Sequence, residues 1–156
     1  MACGATRAGT RLMNILAAID FSEVTERVVD TLKQVAATFP AHVWILHVAP
    51  PDPAFVGYEA GPQAVRHQVA VEHHERHRQL QQVADRLRSD GVDATALLVQ
   101  GPTVAKILAE AERLQAALIV LGSHGQGALY DLLVGSVSEG VVRASKLPVL
   151  LVPARR

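Results

Sequence analysis

A glycine-rich segment follows the most apolar run of the chain, Ala117 to Leu121, and its residue types suit the binding of phosphate. It begins Gly122-Ser-His-Gly-Gln-Gly and is followed by Gly135-Ser136. Glycine lets the backbone turn sharply and approach a ligand closely because it has no Cβ atom. Ser136-Val-Ser-Glu139 is a capping-box pattern, which predicts the N-terminus of a helix. Because a helix start offers unpaired N–H groups and a positive dipole end, the segment predicts a phosphate-binding loop.

The spacing of this segment differs from two common phosphate-binding motifs. The Walker loop has a lysine directly before its Ser or Thr, whereas Gly135 stands before Ser136 here. The dinucleotide fingerprint G-x-G-x-x-G is not matched either. An anion at this loop would therefore be held by main-chain amides and a few side chains.

Two further candidates follow the first two predicted strands. Asp20 comes directly after the first strand, and Val48 ends the second. In an open parallel sheet, ligands bind outside the carboxyl ends of the strands, near the point where the strand order reverses. Asp20 followed by Ser22 fits turn chemistry and helix capping equally well, so both interpretations remain open.

Several histidines raise the question of a metal site. His73 and His77 are spaced to share one helix face, within the group that runs from His67 to His77. A pair without a third ligand favours a solvated polar face, and the role of this group stays open. His47 and His124 fall near the predicted ligand-binding edge, where His124 could contact phosphate.

Length and composition indicate one ordinary globular domain. The 156 residues are 49% hydrophobic and 19% charged, and fifteen Lys and Arg balance fifteen Asp and Glu. This balance gives no net positive field to gather nucleic acid or an anionic membrane. Cys3 is the only cysteine and no apolar run is long enough for a membrane span, so we expect a cytoplasmic protein. We assign residues 1–12 to a flexible N-terminal extension and 13–156 to the domain.

Hydrophobic patterning predicts five strands that alternate with four helices. This alternation favours an α/β fold with a single open five-stranded parallel sheet and helices on both faces, of the Rossmann-like type. Ser22 is expected to cap the first helix, and Pro102 to open the third. The last helix is expected to point three residues inward, Val137, Val141 and Ala144.

The predicted strands are Asn14–Ile19, Val43–Val48, Ala94–Val99, Ala117–Leu121 and Val149–Val152.

The chain resembles the universal stress protein family. The family's nucleotide motif, G-x2-G-x9-G-[ST], is matched by Gly122, Gly125, Gly135 and Ser136. Other landmarks are the opening Ala-Ile-Asp-Phe-Ser-Glu, the Leu-His-Val of the second strand and the closing Lys-Leu-Pro-Val-Leu-Leu-Val. The resemblance spans residues 14–152 and implies a fold similar to that of the adenine nucleotide alpha hydrolases.

Family members that carry this motif bind ATP, so the resemblance implies ATP here, with Mg²⁺ or Mn²⁺ left open. Carried over by position, Val48 would meet the adenine through its backbone, and Asp20 would lie near the ribose or a phosphate-bound metal. Gln126 stands where the family often has a basic residue, which leaves the charge balance at the outer phosphates open. The residues expected around the phosphates are Gly122, Ser123, His124, Gly125, Gly135, Ser136 and Val137.

Three functions follow as hypotheses. The resemblance favours an ATP-binding regulatory protein of the stress response that acts on an unknown protein partner. The alternatives are a slow ATPase or nucleotide-transferring enzyme, and a nucleotide-free interaction module. The apolar last strand, Val149 to Val152, is expected at a sheet edge, and the resemblance implies that it pairs with a second copy to form a homodimer.

Overall fold

The computed structural model describes residues 12–51, 63–123 and 135–154, with side chains from residue 70 onward in the second range. Within these residues five strands alternate with four helices, as the sequence predicts. The predicted N-terminal extension lies outside the described residues, apart from Leu12. The elements are β1 (Met13–Ala18), α1 (Val24–Thr38), β2 (Ala41–Ala49), α2 (Gln63–Ser89), β3 (Asp93–Gln100), α3 (Thr103–Arg113), β4 (Leu118–Gly122), α4 (Ser136–Ala144) and β5 (Val149–Val152).

The five strands form one parallel sheet in the order β3-β2-β1-β4-β5. Strands β2 and β3 follow one another outward on one side of β1, and β4 and β5 lie on its other side. Ala18 at the end of β1 lies opposite Leu46 of β2 and Leu121 of β4. The predicted fold class is confirmed, and the strand order reverses between β1 and β4.

Alternate residues of the central strands enter two separate hydrophobic cores. Ile15 and Ala17 face the core formed with α1 and α2, whereas Leu16 faces the core formed with α3 and α4. All three side chains are fully buried. Because both faces are covered, these strands are continuously apolar rather than alternating. Full burial of one Leu or Ile side chain contributes about 1.5–3 kcal/mol, so the two cores fix the strand positions.

The inward face of α4 differs from the prediction. Ser138 and Val141 are its buried residues, whereas Val137 is 37% exposed and Ala144 is exposed too. A Cβ atom at Gly140 would lie 2.9 Å from a methyl carbon of Val104, so α4 approaches α3 closely there. The inward positions are therefore taken partly by small residues, which give no hydrophobic signal.

Two predicted helix starts are also corrected. Helix α1 begins at Val24 and is preceded by Glu23, and Ser22 does not cap it. The Ser22 hydroxyl instead donates to the Asp20 carboxylate. Pro102 occupies the N-cap position of α3 rather than its first turn, and its carbonyl accepts the Lys106 amide at 2.9 Å.

None of the helices in the described ranges combines the length and the apolar character that crossing a membrane requires. The longest, α2, is rich in charged and amide side chains.

Candidate functional site

Three of the predicted site residues, Asp20, Val48 and Gly122, lie at or near one edge of the sheet. Gly122 is the last residue of β4, and Asp20 follows β1, the strand beside it. The Ile19 amide donates to the Leu46 carbonyl at 2.9 Å, which ties the chain after β1 to the neighbouring strand. Val48 lies inside β2, opposite Val99, rather than at its end. The carboxyl ends of β1, β2 and β4 therefore frame the edge where the strand order reverses, which is where open parallel sheets bind ligands.

Asp20 organises the turn between β1 and α1. One carboxylate oxygen, Oδ1, accepts the Ser22 amide at 3.0 Å and the Ser22 hydroxyl at 2.5 Å. Between them Phe21 has a φ of 61°, in the left-handed region that costs a residue with a Cβ about 1–2 kcal/mol. The interpretation of Asp20 as turn chemistry is confirmed, and its role towards a nucleotide stays a prediction.

Two side chains from other elements contact the ring of Phe21. The ring of His47, on β2, lies 4.7 Å from the Phe21 ring, centroid to centroid. The guanidinium carbon of Arg76, on α2, lies 5.5 Å from the centre of the same ring, within the range of a cation–π contact. The sequence analysis noted His47 only as a residue near the site and missed Phe21 and Arg76.

His47 is held as a neutral imidazole near neutral pH. Burial lowers its pKa below the ordinary value of 6.5, and the nearby Arg76 acts in the same direction. The hydrogen bond to the Ile19 carbonyl and the Asp20 carboxylate raise it in part. Since a carbonyl only accepts, Nδ1 must carry the proton that it donates to the Ile19 oxygen at 2.8 Å. The ring therefore fastens the chain directly before Asp20.

No side chain of the described residues caps the start of α4. Gly135 is the N-cap residue, in an extended conformation, and its carbonyl accepts the Glu139 amide at 2.9 Å. No side chain of the described residues bonds to the first amides of the helix. The predicted capping box is wrong, because Ser136 is the first helical residue and Glu139 pairs with Arg143 at 2.5 Å. Uncapped amides and the positive end of the helix dipole suit an anion.

Main-chain bonds fix this helix start beside the end of β4. The Gly135 amide donates to the Ser123 carbonyl at 2.6 Å, and the Ser123 amide donates to the Val152 carbonyl at 2.8 Å. The buried Ser138 hydroxyl donates to the Gly122 carbonyl at 2.7 Å. The first and third glycines of the motif are thus brought together. His124 and Gly125 lie outside the described residues.

Ser138 is a structural residue of the site that the sequence analysis missed. It lies one helical turn from Gly135 and bonds to the chain on the β4 side of the loop. The signal available in the sequence was a serine two positions after Ser136, to which the predicted capping box gave no role.

Among the α2 histidines whose side chains are described, two bond within the helix. His74 Nδ1 bonds to the Ala70 carbonyl one turn earlier, and His77 Nε2 lies 3.4 Å from the amide nitrogen of Gln81. In the part of the chain that the structure describes, no three His, Cys, Asp or Glu side chains are arranged to hold a metal ion. The side chain of His67 lies outside that part.

Comparison with known proteins assigns the chain to a family. Residues 12–153 match the model of the universal stress protein family. A universal stress protein of Thermus aquaticus, named for its place in the QAH/OAS sulfhydrylase 3′ region, is 34% identical over 144 residues, which cover 88% of this chain and 96% of the relative.

Solved structures agree with this assignment. The structure of MJ0577 from Methanocaldococcus jannaschii has a TM-score of 0.79 at 26% identity and covers 92% of this chain and 97% of its own. A universal stress protein in complex with cAMP has a TM-score of 0.64, also at 26% identity, and covers 92% of this chain and 98% of its own. The open parallel sheet, the glycine-flanked helix start and these similarities lead to one conclusion: the chain belongs to the universal stress protein family.

Proposed function

We propose that the chain is a regulatory protein that binds ATP or a related adenine nucleotide at the carboxyl edge of its sheet. The observation that carries this proposal is the start of α4, which follows Gly135, has no cap from a described side chain and is fixed by main-chain bonds beside the end of β4. The cAMP complex of a related universal stress protein supports an adenine nucleotide as the ligand.

The proposed roles follow from the chemistry of each group. The amides after Gly135, in the first turn of α4, would bind phosphate oxygens, because they have no partner within the helix. The backbone of Val48 would meet the adenine. Asp20 would accept a ribose hydroxyl or hold a metal ion, Mg²⁺ or Mn²⁺, bound to the phosphates. The remaining residues proposed around the phosphates are Gly122, Ser123, His124, Gly125, Ser136 and Val137.

Binding fits these residues better than rapid phosphoryl transfer. Transfer requires cationic groups that stabilise the charge developing on the phosphoryl oxygens. The sequence from Gly122 to Ser136 contains no lysine or arginine. We therefore expect ATP turnover well below the typical enzyme value of roughly 10 per second. Nucleotide occupancy would act as a signal to a protein partner in the stress response.

Two further expectations accompany this function. Strand β5 lies at the edge of the sheet with its side chains largely half-buried, and pairing with a second copy would cover that edge. We propose such a homodimer through Val149–Val152. The chain has a single cysteine, Cys3, so it forms no internal disulfide, which fits the proposed residence in the cytoplasm.

The direct test is to denature freshly purified protein and identify any released nucleotide by mass, followed by titration with ATP. Gly122→Val and Gly135→Val should abolish binding, because the added side chains occupy the space that the phosphates approach. Ala144→Val, at the exposed far end of the same helix, is the matched control and should bind like the parent. Far-UV spectra should match across the set. Glycine variants that bind ATP as well as the parent would refute the proposed site.

A further inference from the structure

The turn that carries Asp20 is held from outside the ligand-binding edge by an aromatic clamp. The clamp consists of Phe21, His47 and Arg76, which belong to the turn, to β2 and to α2. Phe21 has the left-handed backbone that Asp20 and Ser22 require of it. A bulky aromatic residue adopts this left-handed conformation only where the surrounding structure holds it there.

Each member of the clamp restrains a different degree of freedom. The His47 ring supports one side of Phe21, and its Nδ1–H holds the Ile19 carbonyl at 2.8 Å. Arg76 holds the Phe21 ring through its guanidinium, which also lies 3.5 Å from the Gln79 amide oxygen. Asp20 therefore lies between Ile19, whose carbonyl is hydrogen-bonded to His47, and Phe21, whose ring contacts His47 and Arg76.

We propose that Arg76 and His47 are positioning residues that act through Phe21 to hold the Asp20 carboxylate in place for the nucleotide. The proposal rests on the nucleotide-binding function proposed above. It connects α2 to the ligand-binding edge through the ring of Phe21.

The first test compares two arginines of α2. Arg76→Gln removes the cation from the clamp, whereas Arg78→Gln removes an exposed cation that pairs with Glu75. We expect Arg76→Gln to weaken ATP binding by about threefold, the size of one cation–π contact, and Arg78→Gln to leave it unchanged. Calorimetric titration at fixed salt measures the affinities, and thermal midpoints without nucleotide show whether both variants fold equally well. Equal affinities of the two variants would overturn the role of Arg76.

The second test separates positioning from general packing at His47. His47→Leu removes the hydrogen bond to the Ile19 carbonyl and should weaken ATP binding by roughly fivefold. His47→Asn supplies an amide N–H at the same place and should restore part of the affinity. If Asn binds ATP no better than Leu, the hydrogen bond has no positioning role.

A third variant tests whether Arg76 acts through Phe21. In a Phe21→Leu background, Arg76→Gln should have little further effect on affinity, because the ring it acts on is gone. An undiminished effect in that background would overturn the clamp as the route.

The amide resonance of Ser22, which bonds to Asp20, reports the turn without any nucleotide. It should shift in Arg76→Gln and stay in place in Arg78→Gln. A parent protein that binds no nucleotide contradicts the proposed function. A parent that binds ATP, with an unmoved Ser22 resonance and unchanged affinity in Arg76→Gln, contradicts the clamp alone.

Discussion

Two chain reversals lie at the same edge of the sheet and are held in different ways. The β1–α1 turn is held by side chains: the Asp20 carboxylate bonds within it, and an aromatic ring, an imidazole and a guanidinium pack around it. The ends of the β4–α4 connection are held by main-chain bonds, from Gly135 to Ser123 and from Ser123 to Val152, with the Ser138 hydroxyl as support.

The difference matches what each reversal can offer a ligand. A turn built from side chains fixes a carboxylate, which can accept hydroxyl groups or hold a cation. A helix start that follows glycine leaves amides without side-chain partners, which suits phosphate oxygens. Within one proposed site, one reversal would therefore bind through a side chain and the other through its backbone.

The largest effect is expected from giving the start of α4 a side chain. Gly135 has φ −72° and ψ 157°, which any residue adopts, and aspartate is among the best N-cap residues. Gly135→Asp should raise the free energy of unfolding by a few tenths of a kcal/mol. Its carboxylate would occupy the helix amides and repel phosphate by about 4 kcal/mol at 4 Å near a protein surface, so ATP affinity should fall at least about 100-fold.

Gly135→Asn is the control for charge. It caps the helix with the same shape but carries no charge, so its loss of ATP affinity should be smaller. Urea unfolding and calorimetric titration measure the two quantities. An aspartate variant that gains stability and still binds ATP like the parent would show that the phosphates lie elsewhere, and the contrast between the two reversals would lose its meaning.

An intermediate effect is expected from removing the side chain that builds the other reversal. Asp20→Ala leaves the Ser22 amide without its acceptor and releases Phe21, so the free energy of unfolding should fall by about 1–2 kcal/mol. Asp20→Asn retains the Oδ1 acceptor and should stay within about 0.5 kcal/mol of the parent. Urea unfolding at constant m-value measures both. Equal destabilisation by Asn and Ala would mean that the charge, rather than the turn geometry, stabilises the β1–α1 reversal.

The two described ends of the β4–α4 connection, at Gly122 and Gly135, were predictable from sequence, whereas the contacts that hold the β1–α1 turn were not. The motif glycines Gly122 and Gly135 mark the two ends of the β4–α4 connection, and the apolar runs of β1 and β4 indicate strands covered on both faces. Phe21, which has a positive φ, contacts side chains of β2 and α2 instead, and local sequence patterns do not reveal such contacts. Asp20 was noted as a candidate, and its turn role is shown by its bonds to Ser22, whereas its ligand role stays a prediction.

Two of the remaining errors arise because a nearby group competes with the local preference of a residue. Val137 and Ala144 have the apolar character of an inward face, but Gly140 and Ser138 pack there because α4 lies so close to α3 and to Gly122. Ser22 has the right type for a helix cap, but its hydroxyl bonds to Asp20. In each case a nearby partner outcompetes the local preference of the residue.

The smallest effect concerns the protonation of His47 and distinguishes the two reversals by pH. The folded-state pKa of His47 is lowered by burial, so the unfolded chain binds a proton more readily than the folded one. Stability that depends on the neutral ring is therefore fully present above the ordinary pKa of 6.5 and is lost as the pH falls from there through the folded-state pKa.

Urea unfolding of the parent and of His47→Asn across this range isolates the contribution of His47, because the other titrating groups are common to both. The parent curve should fall relative to the variant as the pH decreases below 6.5, whereas Gly135→Asn, altered in the backbone-held reversal, should follow the parent. Parallel curves for the parent and His47→Asn would show that protonation of this ring leaves the β1–α1 turn undisturbed.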